Sequence, residues 1–309
     1  MISKEQKLSF LNMSLEEKIQ RTKELILEWY LQFEGKVYVG FSGGKDSTVL
    51  LHIARSIKGC SDIPAVFADT GLEYPEIREF VKTIDNVTWL KPKLTFKQVL
   101  EKYGYPIISK QSSDAIKRLR KPTTGEKYRN KLLNGDERGS FGKLAECWKP
   151  LINSGFKISS DCCNFMKKKP FHDYEKQTGS KGIIGVMADE SQLRYQMYMK
   201  GNCNAFDAKR PLSKPLSFWN EQDVLEYIVR HNLEIASIYG VIYRGADGLL
   251  RTTNEHRTGC MFCMYGLHLE EHPNRFERMK ETHPKQYEYC MDKLGLRKVI
   301  DEYLNCWRK

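Results

Sequence analysis

The chain has 309 residues, of which 40% are hydrophobic and 29% are charged, values that are ordinary for a globular protein able to bury a core. Its 50 Lys and Arg residues outnumber 39 Asp and Glu residues, and the formal net charge of +11 suits phosphate-rich partners such as nucleotides and nucleic acids. No apolar run approaches the roughly 20 residues of a membrane span, and the first residues lack the apolar stretch of a secretion signal, so we expect a cytoplasmic protein with no membrane partner.

A capping-box pattern opens the first helix that the sequence predicts. Ser14 is followed three residues later by Glu17, and apolar residues then recur at helical spacing. We therefore predict one helix that ends near Phe33, and we treat residues 1–35 as an N-terminal helical segment.

A β-branched and aromatic strand pattern at 37–41 leads into a glycine-rich loop, which a helical pattern follows. The loop reads Ser42-Gly43-Gly44-Lys45-Asp46-Ser47. Its glycines let the backbone approach a ligand closely, and the amides of such a turn point into one concavity. The helix adds the positive end of its dipole, the lysine adds a charge and the serines add hydroxyl groups. Together these groups are suited to bind a phosphate group.

The mononucleotide P-loop does not fit this stretch, because Asp46 follows Lys45 and the glycine spacing differs. The stretch instead resembles the PP-loop of ATP pyrophosphatases, which holds the pyrophosphate end of ATP while the α-phosphorus is attacked. The resemblance implies that ATP or another adenylyl nucleotide binds at residues 42–47 with Mg²⁺, and that Lys45 and Asp46 take part in catalysis. A turn that only links strand to helix is the alternative.

Strand and helix patterns alternate after the loop. We predict strands at 64–68 and 87–90 and helices at 75–85 and 95–103, which indicates a doubly wound, mostly parallel α/β sheet. Ligands of such sheets bind beyond the carboxyl ends of the strands. Asp69-Thr70-Gly71 follows the second strand at such an end, so Asp69 is expected to contact the nucleotide or Mg²⁺. A turn-forming aspartate is the alternative.

Residues 110–149 interrupt this alternation and carry much of the positive charge. They hold eleven basic and five acidic residues, so about +6 of the net +11 lies here. Three aromatic residues are interleaved with them, namely Tyr128, Phe141 and Trp148. This basic insertion is interpreted either as a solvated surface or as a polyanion-binding surface for a nucleic-acid substrate.

Four of the nine cysteines form two close pairs. Cys162 and Cys163 are adjacent, and Cys260 and Cys263 have the C-x-x-C spacing that lets two thiolates bind one metal centre. Adjacent cysteines are unusual for structural zinc, whereas four thiolates suit a [4Fe–4S] cluster. Zinc and unliganded redox thiols are the alternatives.

The motifs together are similar to those of the phosphoadenosine phosphosulfate reductase family, including its adenylyl-sulfate reductase branch. The matches run from about Lys36 to Tyr265 and include the loop, the Asp-Thr-Gly turn, both cysteine pairs, Lys167-Lys168-Lys169-Pro170 and the segment from Gly185 to Arg194. The resemblance implies an adenine nucleotide alpha-hydrolase-like fold. It also implies that Cys162, Cys163, Cys260 and Cys263 hold a [4Fe–4S] cluster, and that Lys168 and Arg194 bind the anionic substrate. Both cations have a solvated or ion-paired surface role as the alternative.

Two departures from the family pattern bear on function. Dedicated reductases of adenylyl sulfate or its phosphorylated form usually have a degraded PP-loop, and this loop is intact. They also carry a nucleophilic cysteine in a Glu-Cys-Gly-x-His-like tail, whereas Cys306 has the neighbours Asn305 and Trp307. Cys306 is nevertheless retained as a candidate catalytic thiol.

Three functions are therefore compared. The first is an ATP-cleaving enzyme that adenylates an acceptor, such as a nucleic acid, for cluster-assisted sulfur transfer. The second is a thiol-dependent reductase of adenylyl sulfate or phosphoadenylyl sulfate that releases sulfite. The third is a nucleotide-responsive nucleic-acid-binding module without turnover. The partner would be a cysteine desulfurase or a thioredoxin-like donor, and an oligomer is compatible with the sequence. We assign 36–265 to the nucleotide and cluster domain and 266–309 to a helical C-terminal extension.

Overall fold

The computed structural model describes residues 3–137, 139 and 142–307. The chain packs as two compact units, each built from separate stretches of sequence. Unit 1 comprises the residues up to Asp69, Glu73–Lys91 and Pro170–Thr258, and unit 2 comprises Thr70–Leu72, Pro92–Lys169 and the residues from Gly259 onward. These units cross the boundaries that we assigned at residues 35 and 265, and the functional domain assignment stays a prediction.

The helices and strands are numbered separately in chain order. The α-helices are α1 Lys4–Leu11, α2 Leu15–Gln32, α3 Lys45–Ser56, α4 Pro75–Lys82, α5 Phe96–Tyr103, α6 Lys110–Leu119, α7 Glu126–Asn134, α8 Lys169–Thr178, α9 Gln192–Lys200, α10 Glu221–Arg230, α11 Arg275–Thr282, α12 Pro284–Glu288 and α13 Leu296–Trp307. The strands are β1 Val37–Gly40, β2 Ala65–Ala68, β3 Val87–Leu90, β4 Ile107–Ile108, β5 Lys181–Ile184, β6 Asn204–Ala205, β7 Leu212–Ser213, β8 Ile242–Arg244, β9 Leu250–Thr252 and β10 Met264–Tyr265.

A six-stranded sheet organises unit 1, with the strand order β3-β2-β1-β5-β7-β6. Its strands are parallel except β6, which pairs antiparallel with β7 at the edge. Strand β1 lies between β2 and β5, with Val39 opposite both Ala65 and Ile183. The order runs outward from β1 in both directions, so the predicted doubly wound, mostly parallel α/β sheet is confirmed. Parallel sheets place their ligand site where the strand order reverses, which is the carboxyl end of β1.

The N-terminal segment of unit 1 contains two helices where we predicted one. The capping box at Ser14 is confirmed, because its hydroxyl accepts from the amide of Glu17 and the glutamate side chain accepts from the amide of Ser14. Helix α1 precedes it and has a capping box of its own at Ser3, so the pattern that we used could not exclude an earlier helix. Trp29 of α2 is completely buried and anchors this segment in unit 1.

Unit 2 is mainly helical and contains a short parallel ladder of its own. Strands β4 and β10 pair with Ile107 opposite Met264, both of which are fully buried. Helix α6 packs its apolar side into the same core through Ile116, which is also fully buried. The helical end of the chain is confirmed by α11, α12 and α13, with a π-helical turn at Tyr289–Lys293. Among the described residues, no helix is long and apolar enough to cross a membrane.

Candidate functional site

The glycine-rich loop joins β1 to α3 in unit 1, at the point where the strand order reverses. Its two serines hold it in shape, because the hydroxyl of Ser47 accepts from the amide of Ser42 at 3.1 Å and donates to the carbonyl of Gly44 at 2.9 Å. The two hydroxyl oxygens are 3.0 Å apart and share a further hydrogen bond. The loop is therefore organised by the residues of the motif itself.

Gly43 takes a backbone conformation that a side chain would oppose. Its φ is +71°, and a Cβ atom there would lie 2.8 Å from Cγ2 of Ile77 and 2.9 Å from Cγ2 of Val81. A glycine is needed both for the left-handed backbone and for the close approach of α4.

Helix α3 begins directly at the loop without a side-chain cap. Its N-cap residue is Gly44, which supplies no side chain to bond the amides of the first turn. An α-helix leaves its first amides without intrahelical partners, and its N-terminus carries the positive end of the dipole. The arrangement can bind an anionic group such as a phosphate.

Lys45 is almost completely buried, and its ammonium group already has neighbours within unit 1. Nζ donates to Oε1 of Glu221 at 2.9 Å and lies 5.2 Å from the centre of the Tyr239 ring. The hydroxyl group of Tyr239 is in turn hydrogen-bonded to that of Thr258 at 2.6 Å. Lys45 is thus held at the loop by a carboxylate and an aromatic face.

Asp46 lies beside Lys45 in a half-buried position. Burial raises the pKa of its carboxyl group, while Lys45, Arg257 and Arg194 oppose that shift. Two arginines of unit 1 therefore act on the same carboxylate. Arg194 also forms an ion pair with Glu190, so the predicted anion-binding arginine has a carboxylate partner in this structure.

The predicted Asp-Thr-Gly turn follows β2 as expected. The carboxylate of Asp69 forms an ion pair with Arg78, with Oδ2 and Nη2 3.0 Å apart. Oγ1 of Thr70 accepts a hydrogen bond from the amide of Leu72 at 3.2 Å, and Gly71 has a φ of +72°. Asp69 belongs to unit 1, whereas Thr70 and Gly71 belong to unit 2.

The two cysteine pairs both belong to unit 2, where the fold brings them within electrostatic range of one another. Burial raises the pKa of the Cys162 thiol, and Cys260, Cys163 and Cys263 each raise it further. The pKa of the Cys263 thiol is also raised, first by burial and also by Cys163. Thiols that perturb one another in this way occupy one region of the unit.

Cations accompany the thiols. Lys167 lowers the pKa values of Cys162 and Cys263 against the effect of burial, and Arg275 acts likewise on Cys263. The guanidinium of Arg275 also donates to the carbonyl of Cys263 at 3.0 Å. Lys168, which we predicted as an anion contact, is exposed on the π-helical turn Asn164–Lys168.

Within the described ranges, no three or more His, Cys, Asp and Glu side chains are grouped closely enough to be assigned as a site for one metal ion. A [4Fe–4S] cluster makes a different demand, because each of its four thiolates binds a different iron atom. Four thiols in one region of unit 2, one of them buried and three half-buried, with cations beside them, are the type of donor that such a cluster takes.

Cys306 lies on the last helix of unit 2, next to a group of aromatic rings. Trp307 stacks on Trp148 with 5.4 Å between ring centres, and both rings contact His268. Trp148 is buried in this group, so the expectation that it belongs to a surface with Tyr128 is wrong. Its indole fills the core of unit 2 and is not exposed to a polyanion.

The basic insertion divides its cations between internal and external roles. The guanidinium of Arg120 donates to four carbonyl groups between Leu151 and Phe156, so this charge is used inside unit 2. Lys131 forms an ion pair with Asp136. Arg138 and Phe141, which we counted in the insertion, lie outside the described residues.

Three residues near the loop were not predicted as part of the site. Glu221, in the first turn of α10, is the carboxylate that contacts Lys45. Tyr239 ends the short 3₁₀ turn Ser237–Tyr239 and Arg257 lies in an irregular segment, so no periodicity distinguishes either residue. Only the acidic first turn of α10 offered a signal in the sequence.

Comparison with other proteins gives several relatives of partial similarity. A sulfate adenylyltransferase subunit 2 of Escherichia coli is 24% identical over 246 residues, which cover 75% of this chain and 70% of that protein. Two uncharacterized proteins of Methanocaldococcus jannaschii are 35% identical over 95 residues and 26% identical over 241 residues. The matches to them cover 28% and 76% of this chain but only 22% and 37% of their own lengths.

Two solved structures also align with the chain. The phosphoadenylyl-sulfate reductase of Candida auris, in a phosphate complex, has a TM-score of 0.41 and 15% identity, and the alignment covers 70% of this chain and 82% of that one. The FMN adenylyltransferase of Candida glabrata has a TM-score of 0.42 and 12% identity, with 75% and 64% covered.

The sequence profile of the phosphoadenosine phosphosulfate reductase domain matches residues 36–263, which is most of the chain. The matched range contains the loop after β1, the Asp-Thr-Gly turn and both cysteine pairs. The chain belongs to the phosphoadenosine phosphosulfate reductase domain family.

Proposed function

We propose that the chain cleaves ATP to AMP and pyrophosphate in order to adenylate an acceptor, and that sulfur then displaces AMP. The observation that carries this proposal is the intact loop at the carboxyl end of β1, closed by Ser42 and Ser47 and followed by an uncapped helix. Such a loop suits the pyrophosphate end of a nucleotide.

Lys45 is the group that would bind the leaving pyrophosphate. Its ammonium now contacts the carboxylate of Glu221, and a nucleotide phosphate offers it a stronger negative partner. An acceptor oxygen attacks the α-phosphorus, the bond to the bridging oxygen breaks, and the negative charge that develops on pyrophosphate is stabilised by Lys45 and the loop amides. Catalysis of this kind depends on positioning and charge stabilisation.

Mg²⁺ is part of the proposal because Asp46 offers it a carboxylate. Burial raises the pKa of this group, which means that its charged form lacks full compensation in the protein. A hard cation shared with the nucleotide phosphates would provide that compensation. Asp46 would then hold the metal ion at the loop.

The four gathered thiols support the [4Fe–4S] cluster, with Cys162, Cys163, Cys260 and Cys263 as its ligands. When bound, a cluster whose four irons are all held by cysteine thiolates would supply electron-transfer capacity and electrostatic tuning of the site, with no open iron position. Lys167 and Arg275 would balance its negative charge, because both already act on these thiols.

The sulfate adenylyltransferase subunit 2 relatives support the adenylation step, since that name describes transfer of an adenylyl group to sulfate. The word subunit in the name also supports a partner chain for this protein. A cysteine desulfurase is the sulfur donor that the proposed transfer requires, and the basic insertion supports a nucleic acid as the acceptor.

Release of pyrophosphate from ATP tests the proposal. The protein should release it in the presence of Mg²⁺ and an acceptor, and Lys45→Ala should reduce the rate by about 100-fold or more. Lys58→Ala removes a lysine that is exposed just beyond the other end of α3 and should leave the rate unchanged. Mass spectrometry of the products with ATP, adenylyl sulfate and phosphoadenylyl sulfate identifies the nucleotide. A protein that releases no pyrophosphate with sulfate, RNA or DNA as acceptor contradicts the proposal.

A reductase of adenylyl sulfate or phosphoadenylyl sulfate is the second candidate, which the family match favours. The Cys306 thiolate would attack the sulfur atom, the bond from sulfur to the bridging oxygen would break, and AMP or its 3′-phosphorylated form would leave. A thioredoxin-like dithiol would then reduce the resulting S-sulfocysteine, release sulfite and become a disulfide. Thiol-dependent sulfite formation that disappears in Cys306→Ser would favour it. Sulfite formation that is unchanged in this variant removes Cys306 from the reaction.

A further inference from the structure

The turn between α6 and α7 encloses a cavity that the proposed nucleotide chemistry does not use. It has a volume of about 370 Å³ and lies entirely within unit 2. We call it the α6–α7 cavity. Its lining consists of Asp114, Lys117, Arg118, Lys121, Thr123, Thr124, Gly125 and Tyr128.

Positive charge dominates this lining. Three cationic side chains and one carboxylate line the cavity, and Thr123 adds a hydroxyl group that can donate to an anion. The hydroxyl of Thr124 already donates to the carbonyl of Arg118 at 2.6 Å. The helix that begins at the cavity, α7, has Gly125 as its N-cap and therefore no side-chain cap. The set of groups suits a phosphate.

Two of the three cations remain accessible to an incoming anion, whereas Lys117 forms an ion pair with Asp161. Arg118 contacts Asp114, with Nε and Oδ2 2.6 Å apart, but its side chain is 49% exposed. Lys121 is exposed and forms no ion pair within the described part of the chain. Because exposed ion pairs contribute little free energy, a phosphate can replace or share these contacts at small cost.

Several other cations of the insertion are engaged elsewhere. Arg120 bonds backbone carbonyls, Lys131 pairs with Asp136, and Lys143 and Lys149 both pair with Glu146. Of the remaining cations, three line the α6–α7 cavity, whereas Lys110 and Lys127 are exposed outside it.

An aromatic ring lies at the same place. Tyr128 is 43% exposed, and the Arg118 guanidinium lies 5.6 Å from the centre of its ring. Arginine and an exposed aromatic ring beside a phosphate site are the combination that proteins use for unpaired bases, which stack on the ring while the backbone is neutralised.

We propose that the α6–α7 cavity binds a backbone phosphate of a single-stranded nucleic acid, with Tyr128 stacking on a neighbouring base. The proposal rests on the proposed function only in that the bound strand would be the acceptor, since binding itself requires no ATP. A duplex fits less well because its bases are already stacked and paired.

The test measures binding of the full chain to a labelled 20-nucleotide single strand and to a duplex of the same sequence, by fluorescence anisotropy over a range of salt concentrations. The double variant Arg118→Gln/Lys121→Gln should weaken single-strand binding by about tenfold or more and reduce the salt slope by roughly 2. Tyr128→Ala should weaken single-strand binding by about tenfold and leave duplex binding unchanged.

Lys127→Gln is the matched control, because Lys127 is exposed on α7 and does not line the cavity. It removes one positive charge, where the double variant removes two, and should keep wild-type affinity. Thermal melting should show that all variants are folded. Three results would overturn the proposal. The first two are wild-type affinity in the double variant and a loss of affinity in Lys127→Gln that equals the loss in the double variant. The third is displacement of the strand by AMP when the concentration of AMP phosphate equals that of the strand phosphates.

The outcome is separable from that of the proposed function. Lys45→Ala should bind the strand as the wild type does, because its loop lies in unit 1. Strand binding without any pyrophosphate release supports the cavity and counts against adenylation. Release that depends on the strand but is unaffected by the cavity variants counts against the cavity alone.

Discussion

A comparison of Gly43 with Gly59 distinguishes two reasons why a position requires glycine, namely a left-handed backbone and a lack of space for a Cβ atom. Both have a left-handed φ, +71° and +84°, but a Cβ atom would meet two side chains of α4 at Gly43 and nothing within 4 Å at Gly59. A loop held in this way is rigid before the nucleotide arrives, and this rigidity lowers the entropic cost of binding.

We expect Gly43→Ala to lower the free energy of unfolding by about 2–4 kcal/mol, the sum of left-handed strain and overpacking. Gly59→Ala should cost only about 1 kcal/mol, because the strain acts there alone. Chemical denaturation measures both values. Equal losses in the two variants would show that the contacts with Ile77 and Val81 carry no energy.

Asp46 connects the charge of the site to the stability of the fold. Its folded-state pKa is raised above the ordinary value of 3.8, chiefly by burial. The stabilising contribution of the neutral form is complete below that value and is lost as the pH rises through the folded-state pKa. At neutral pH the buried carboxylate therefore reduces stability.

Asp46→Asn should accordingly raise the melting temperature at pH 7, and the difference from wild type should vanish as the pH falls below 3.8. The same variant should lose ATP cleavage if Asp46 holds Mg²⁺, an exchange of activity for stability that is common in active sites. Asp62→Asn is the control at an exposed position of unit 1. A melting temperature that does not change with the first substitution at pH 7 contradicts the assignment.

At the scale of elements, the last turn of helix α6 and the residue that caps it have different roles. Arg118 reaches the α6–α7 cavity, whereas Arg120 donates to carbonyls of the segment from Leu151 to Phe156. Burial lowers the pKa of the Arg120 guanidinium. That segment consists of the end of the 3₁₀ helix Glu146–Asn153 and the irregular residues after it, and Arg120 supplies hydrogen-bond donors to its carbonyls.

Arg120→Met should lower the free energy of unfolding by about 2–4 kcal/mol, because it removes several hydrogen bonds to a charged group and leaves part-buried carbonyls unsatisfied. Arg118→Met, two positions earlier and inside α6, should change stability by no more than about 0.5 kcal/mol. Urea denaturation of both variants tests the contrast. A small effect at Arg120 would mean that water satisfies those carbonyls.

The two cysteine pairs lie on segments that are remote in sequence. The metal that we propose for them can be measured directly. We expect anaerobically purified protein to be brown and to contain about four irons and four sulfides per chain. Cys163→Ser and Cys260→Ser should each lose most of the iron, while Cys147→Ser, a half-buried cysteine of the same unit, should keep it. Colourless protein that contains zinc would indicate a tetrathiolate zinc site in place of the cluster. Metal-free protein would indicate that the four cysteines are redox thiols.

At the scale of the whole molecule, the proposed nucleotide site and the proposed cluster site belong to different units. The loop from Ser42 to Ser47 belongs to unit 1, and all four thiols belong to unit 2. Each unit has its own hydrophobic core, with Trp29 in the first and Ile107 in the second. This separation predicts that each site can be removed without loss of the other.

Lys45→Ala should therefore retain the iron content of the wild type, and Cys260→Ser should retain ATP binding as measured by calorimetry. The physical reason is that the contacts organising each site lie within its own unit. Pyrophosphate release by Cys260→Ser then shows whether the cluster is needed for adenylation or only for sulfur transfer. Loss of ATP binding in this variant would show that the units do not fold separately.

Several features followed from the sequence alone because short-range interactions decide them. Ser14 and Glu17 predicted their own capping box, Pro75 predicted the start of α4, and the alternation of strand and helix patterns predicted a doubly wound sheet. The loop after β1 was found in the same way, since its glycines, lysine and serines are contiguous. The family resemblance rested on these local motifs.

Other features were decided only by the tertiary structure. The contact of Glu221 with Lys45, the carbonyl partners of Arg120 and the burial of Trp148 each join segments distant in sequence. A composition count gave all basic residues of the insertion the same weight, although the fold uses some internally and presents others at the α6–α7 cavity. The sequence therefore determined which groups the chain carries and where its local elements begin. Packing determined which of those groups meet, because burial and charge pairing depend on neighbours that no local pattern specifies.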